Sequence, residues 1–142
     1  MIQITRSKID ASALIDAVGS KTTGAVVVFV GTTRKQTDDK QTVLLEYDCY
    51  EQMAVAELEK LATNAKQKWS LDACSIVHRV GSVPPGESSV VIVVASAHRA
   101  AAYEASRWLI DTIKECVPIW KKEVWANGTS EWVHPIADET ST

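Results

Sequence analysis

Two runs of β-branched residues constrain this chain more than anything else in it: "GAVVVFVG" at 24–31 and "SSVVIVVAS" at 88–96. Valine and isoleucine lose rotamer freedom in a helix and pack well on a pleated surface. Both runs read as apolar strands, and the first, bounded by glycines, predicts a strand buried on both faces. Such strands need cover on both sides of a sheet, and the intervening sequence supplies it. In "SKIDASALIDAVGS", Leu14, Ile15 and Val18 recur at helical spacing and Gly19 is a stop. From Glu51 to Trp69, Met53, Leu58, Leu61, Ala62, Ala65 and Trp69 trace one helical stripe. A third helix follows Ser96, its expected cap, with Ala101, Ala105, Trp108, Leu109, Thr112 and Cys116 on its apolar side. Val117 and Pro118 end it. Further strands are expected at Ile2–Ile4, "TVLLEYDCY" and "ACSIVHRV", while "TTRKQTDDKQ" reads as a loop and "GSVPPGE" as a turn. "EVWANGTSEWV" has the form of a hairpin with Asn127-Gly128 at its turn.

The 142 residues suit one domain with one core. The expectation is a single α+β domain over 1–142 with a small C-terminal β-hairpin subdomain. A formal net charge of −3 argues against a bulk nucleic-acid binder, so an anion site here must be a local cluster of cations. The longest apolar run is too short to span a bilayer, and "MIQITRSKID" lacks the apolar core of a signal peptide. Three cysteines without a CxxC pair argue against a disulfide framework or a zinc site, and fit a reducing cytoplasm.

Charged residues break the apolar pattern in three places. Arg34 follows Thr32 and Thr33 just beyond the glycine that closes a buried strand, where loops commonly carry ligand contacts. His98 and Arg99 open a helix, where cations oppose the dipole unless an anion offsets them. Lys114 lies near that helix's end, and Lys121, Lys122 and Glu123 follow inside the apolar frame "VPIWKKEVW". If these converge, they form a site for a polyanion of the phosphate type. A lysine there would bind phosphate or act as nucleophile or proton donor. His78, inside a strand, reads as a satisfied core or interface histidine, and the cysteines as small hydrophobes. The residues alone leave open an enzyme, a non-catalytic module binding an anion such as a nucleotide or phosphosugar, and an assembly subunit.

The blocks "GAVVVFVGTTR", "LEYDCYEQMA", "HRVGSVPPGE" and "SAHRAAAYEASRWLIDTIKECVPIWKKE", with the trailing Trp132, occur in the order found in the large, catalytic subunits of molybdopterin synthase, a family that this chain resembles from about residue 24 to about residue 133. The resemblance implies an α+β fold with a hammerhead-like core, a homodimer, and a heterotetramer with a small ubiquitin-like sulfur carrier. The carrier's C-terminal Gly-Gly thiocarboxylate would enter the large subunit and transfer sulfur to cyclic pyranopterin monophosphate, forming the molybdopterin dithiolene. No metal or cofactor is implied for the chemistry.

By the same resemblance, Lys114 is the main catalytic group and Lys121 the second family lysine. Lys122 and Glu123 fill adjoining substrate contacts. His98, Arg99 and Arg34 would hold the substrate, and Phe29 matches an aromatic position; Thr32 and Thr33, read from the residues themselves, offer backbone N–H donors and hydroxyls beside Arg34. The family's Gly-x-Val-Arg loop is here Gly31-Thr32-Thr33-Arg34. In some members a basic tail residue reaches the other protomer's site. Here the segment reads "WVHPIADE", and His134 is the candidate in its place.

Overall fold

A computed structural model describes residues 1–133. The elements run β1 (Ile2–Thr5), α1 (Ala11–Val18), β2 (Ala25–Thr32), β3 (Gln36–Thr37), β4 (Lys40–Cys49), α2 (Glu51–Trp69), β5 (Ala73–Arg79), β6 (Gly81–Val83), β7 (Ser88–Ser96), α3 (Arg99–Cys116), β8 (Ile119–Trp125) and β9 (Ser130–Val133). They build an α+β fold with two sheets. The first has strand order β1-β5-β7-β2, and the second β3-β4-β8-β9 with β6 added to β4.

β7 is the apolar strand that is buried on both faces. Val90, Ile92 and Val94 face one core with α2 and α3, while Val91, Val93 and Ala95 face a second core with α1. Side chains alternate faces along a strand, so one unbroken apolar run supplies both cores. β2 departs from expectation. Among the described residues it pairs only with β7 and lies at the sheet edge, and Val26 and Val30 keep 38% and 44% of their surface. An apolar run gives strand type but not position within the sheet.

Two segments read as irregular carry short strands. "TTRKQTDDKQ" folds into a small hairpin, Gln36 opposite Gln41 and Thr37 opposite Lys40, with Asp38 in the left-handed region at φ 53°. Aspartate tolerates that conformation better than most residues. "GSVPPGE" contains β6, which pairs with β4 and carries the chain from the first sheet to the second. Arg79 ties this crossing down, with Nη1 2.8 Å from Glu87 Oε1 and Nη2 donating to the Ser82 carbonyl. The Arg79 hydrogen bond holds the Glu87 carboxyl below its usual range.

The helices also refine expectation. Asp10 caps α1 by accepting from the Ala13 amide. In α2, Ala54 rather than Met53 joins the core, and Met53 is exposed. Ser96 ends β7 and is not the cap of α3. That position belongs to His98, which makes no side-chain cap hydrogen bond. The buried stripe of α3 is Ala102, Ala105, Ser106, Leu109 and Ile113. Of the cysteines, Cys74 is buried, Cys49 half-buried and Cys116 exposed, so only the first packs fully as a small hydrophobe.

Thr33 sits where the family pattern has valine. It is buried, and its hydroxyl Oγ1 has no hydrogen-bond partner among the described residues. A buried unpaired hydroxyl carries its desolvation cost without return. Thr33→Val keeps the shape and removes that group. It should raise unfolding free energy by about 1–2 kcal/mol, read as a higher urea midpoint. An unchanged or lower midpoint would mean the hydroxyl is satisfied in solution.

Candidate active site

The decisive local geometry is that of β8. "VPIWKKEVW" is neither a turn nor a solvated loop, because its last seven residues form a strand between β4 and β9. Strand alternation then separates the charges. Ile119, Lys121 and Glu123 face inward and are buried, and Trp120, Lys122 and Val124 face the other side. Lys121 and Glu123, two residues apart, are separated along the strand by about 7 Å.

The inward face closes a cavity of about 90 Å³ between the two sheets and the C-terminal end of α3. Its apolar walls come from Phe29, Leu45, Val90, Ile110, Ile113, Val117 and Ile119. Thr32, Arg34, Lys114, Lys121 and Glu123 supply polar groups, with His78, Thr42, Tyr47 and Ser89. Gly31 is required at the rim, since a Cβ there would lie 2.7 Å from Val90 Cγ1. Among the described residues no three His, Cys, Asp or Glu side chains gather as a metal site.

Glu123 is fixed in place. Its Oε2 accepts from Thr42 Oγ1 at 3.1 Å and from Trp125 Nε1 at 2.6 Å. Trp125 thus orients the carboxylate, and it also stacks under Lys40, whose Nζ is 4.0 Å from the ring centre. Charges inside apolar walls act through a lower dielectric than they would at a surface.

Not every expected residue reaches this cavity. Lys122 lies on the opposite face of β8, 2.9 Å from Glu46 directly across the β4–β8 ladder and over the Trp132 ring. Thr33 is buried beside the cavity and does not line it. His98 and Arg99 are exposed at the other end of α3. With a rise of 1.5 Å per residue, Arg99 and Lys114 are about 22 Å apart along that helix. The expected convergence of all the cations therefore does not occur within one chain. His134 lies outside the described residues.

Comparison with known proteins identifies the lineage. The sequence model of the family described as MoaE protein matches residues 4–116. The chain belongs to that family. It is 44% identical over 139 residues to the molybdopterin synthase catalytic subunit of Bacillus subtilis strain 168, covering 98% of this chain and 88% of that one. The X-ray structure of molybdopterin synthase from Staphylococcus aureus superposes with a TM-score of 0.87 at 38% identity, over 92% of this chain and 94% of that one. A complex of subunits 1 and 2 of molybdopterin-converting factor from Helicobacter pylori 26695 superposes with a TM-score of 0.76 at 28% identity, over 99% and 92% of the two chains.

His78 is the cavity residue that sequence reasoning undervalued. It shares strand parity with Cys74 and Ile76, which face the α2/α3 core, and parity carries no signal of the second sheet. Burial brings its imidazole down to about 4 from an ordinary 6.5, against a smaller opposing effect of its hydrogen bond to the Arg79 backbone. The unfolded chain therefore takes up this proton at higher pH than the folded one. Stability from the neutral ring is whole above about pH 6.5 and drains away as pH falls towards 4, by about 3 kcal/mol at most. Urea midpoints between pH 7 and 4 should fall in the wild type and fall less in His78→Gln. Equal slopes would mean another group governs the window.

Proposed function

We infer that this chain is the catalytic subunit of a molybdopterin synthase. It transfers sulfur from the thiocarboxylated C-terminus of a small ubiquitin-like carrier to cyclic pyranopterin monophosphate. The observation that carries the reading is the gathering of Arg34, Lys114 and Lys121 around a narrow, apolar-walled cavity in a chain of net negative charge. Both reactants are anions, and both need local cations rather than a basic surface.

The cavity volume is below the roughly 300–1,000 Å³ usual for small-molecule pockets. That suits a tail ending in two glycines, which has no side chains to seat, with the larger pterin held towards the mouth. Lys114 and Lys121 stabilise the oxyanion that forms at the tail's carbonyl carbon. Arg34 offers a planar fork to phosphate or carboxylate, and Thr32 adds a hydroxyl. Glu123, oriented by Thr42 and Trp125, holds Lys121 in register.

His98 and Arg99 serve as substrate contacts only if a second copy of the chain brings them to this cavity, which the proposed homodimer, and the heterotetramer built on it, would allow. Lys122 then supports the site by fixing β4 to β8, and Thr33 by shaping the Arg34 loop. A cytoplasmic location fits the three free cysteines, and among the described residues no helix is long and apolar enough to cross a membrane.

The test is reconstitution with thiocarboxylated carrier and the pterin monophosphate. Wild type should form the dithiolene, and Lys114→Ala should lose about 10²–10³-fold in turnover, the usual cost of deleting one oxyanion-stabilising group, while still binding carrier. A wild type that binds carrier without making product would favour an assembly role.

A further inference from the structure

His78 has a defined tautomer. Its Nδ1 lies 2.8 Å from the Arg79 carbonyl oxygen. A carbonyl only accepts, so Nδ1 carries the hydrogen, and the neutral ring's lone pair is on Nε2. Nε2 has no hydrogen-bond partner among the described residues. The edge of Tyr47 meets the ring at 5.2 Å between centroids and 70° between planes, which fixes its tilt. Both side chains line the same cavity as Lys114 and Lys121. Burial keeps the imidazole neutral at neutral pH, and an anion seated beside it would raise its basicity.

The proposed reaction needs a basic lone pair. The carrier enters as a thiocarboxylate and leaves as a carboxylate, so its terminal carbon must exchange sulfur for oxygen. Once the sulfur is bonded to the pterin, that carbon is a thioester. Water then supplies the oxygen: a C–O bond forms, the C–S bond breaks, and the sulfur keeps the electron pair. One proton of the attacking water must be taken up as the bond forms. Lysine ammonium groups and the Arg34 guanidinium carry no lone pair to take it. Glu123, with Oε2 accepting from Thr42 and Trp125, is the orienting partner of Lys121 in the reading above.

Resting on the sulfur-transfer reading above, we propose that His78, through Nε2, is the general base that activates the water releasing the carrier tail from the thioester. The imidazolium passes its proton on to the product thiolate or to solvent, and the ring returns to its starting tautomer.

Single-turnover release of the carrier carboxylate, followed in ¹⁸O-labelled water, tests this with His78→Asn. The asparagine amide can donate to the Arg79 carbonyl as Nδ1–H does, but has no basic lone pair. Release should slow about 100-fold, within the usual reach of general base catalysis. Carrier binding should stay unchanged, and added imidazole should restore part of the rate. Release at the wild-type rate, or a loss matched by weaker carrier binding, overturns the proposal. A wild type that forms no dithiolene at all would instead overturn the sulfur-transfer reading.

Should His78→Asn fail to fold, ¹⁵N NMR of the wild-type imidazole decides. The Nε2 resonance should be that of a bare nitrogen and should move when a peptide ending in Gly-Gly is added. A protonated Nε2, or one that the peptide leaves unmoved, rules the base out.

Discussion

Two-sided burial of β7 is the constraint on which the rest of the structure depends. Its central residues are fully buried, and β5 and β2 take its backbone hydrogen bonds on both edges. Because successive side chains point to opposite faces, Val90, Ile92 and Val94 demand α2 and α3, and Val91, Val93 and Ala95 demand α1. Each buried valine or isoleucine is worth about 1.5–3 kcal/mol relative to exposure, so neither face can be left open. α3 must return across this sheet to cover it, and that return sets Lys114 beside the start of β7, where the cavity lies.

The second constraint is the register of β8 on β4. Glu46 opposite Lys122 and Leu45 opposite Glu123 make every inward position of "IWKKEVW" a wall of the cavity. A slip of one residue would put Lys122 inside and Lys121 outside. The Lys122–Glu46 pair on the outer face and the Thr42–Glu123 hydrogen bond on the inner face both hold this register. Adjacent lysines in sequence thus do different work: one faces the proposed chemistry and the other fastens two strands.

Much of the fold was legible because apolar period follows element type. The three helices, the two valine-rich strands and the Asn127-Gly128 hairpin all follow from spacing and turn chemistry. The edge position of β2 did not, because an apolar run reads alike beside one neighbour or two. Short polar strands such as β3 and β6 carry no hydrophobic signal, and pair only because β4 lies alongside. In the site, Arg34, Lys114, Lys121 and Glu123 were legible as charges out of pattern. His78 was not, since one histidine in a strand looks the same whether packed in a core or facing a cavity.

The sequence by itself determined the secondary elements, the local excess of cations at their ends, and membership of the MoaE family, because all three are written in the order and spacing of residues. Only the tertiary structure decided which cations share a space. An 18-residue α3 holds Arg99 and Lys114 at opposite ends, and strand alternation turns Lys121 inward and Lys122 outward. Those separations come from the rigid rise of a helix and the two-residue period of a strand. They act on a charge pattern only after each element has been packed in place.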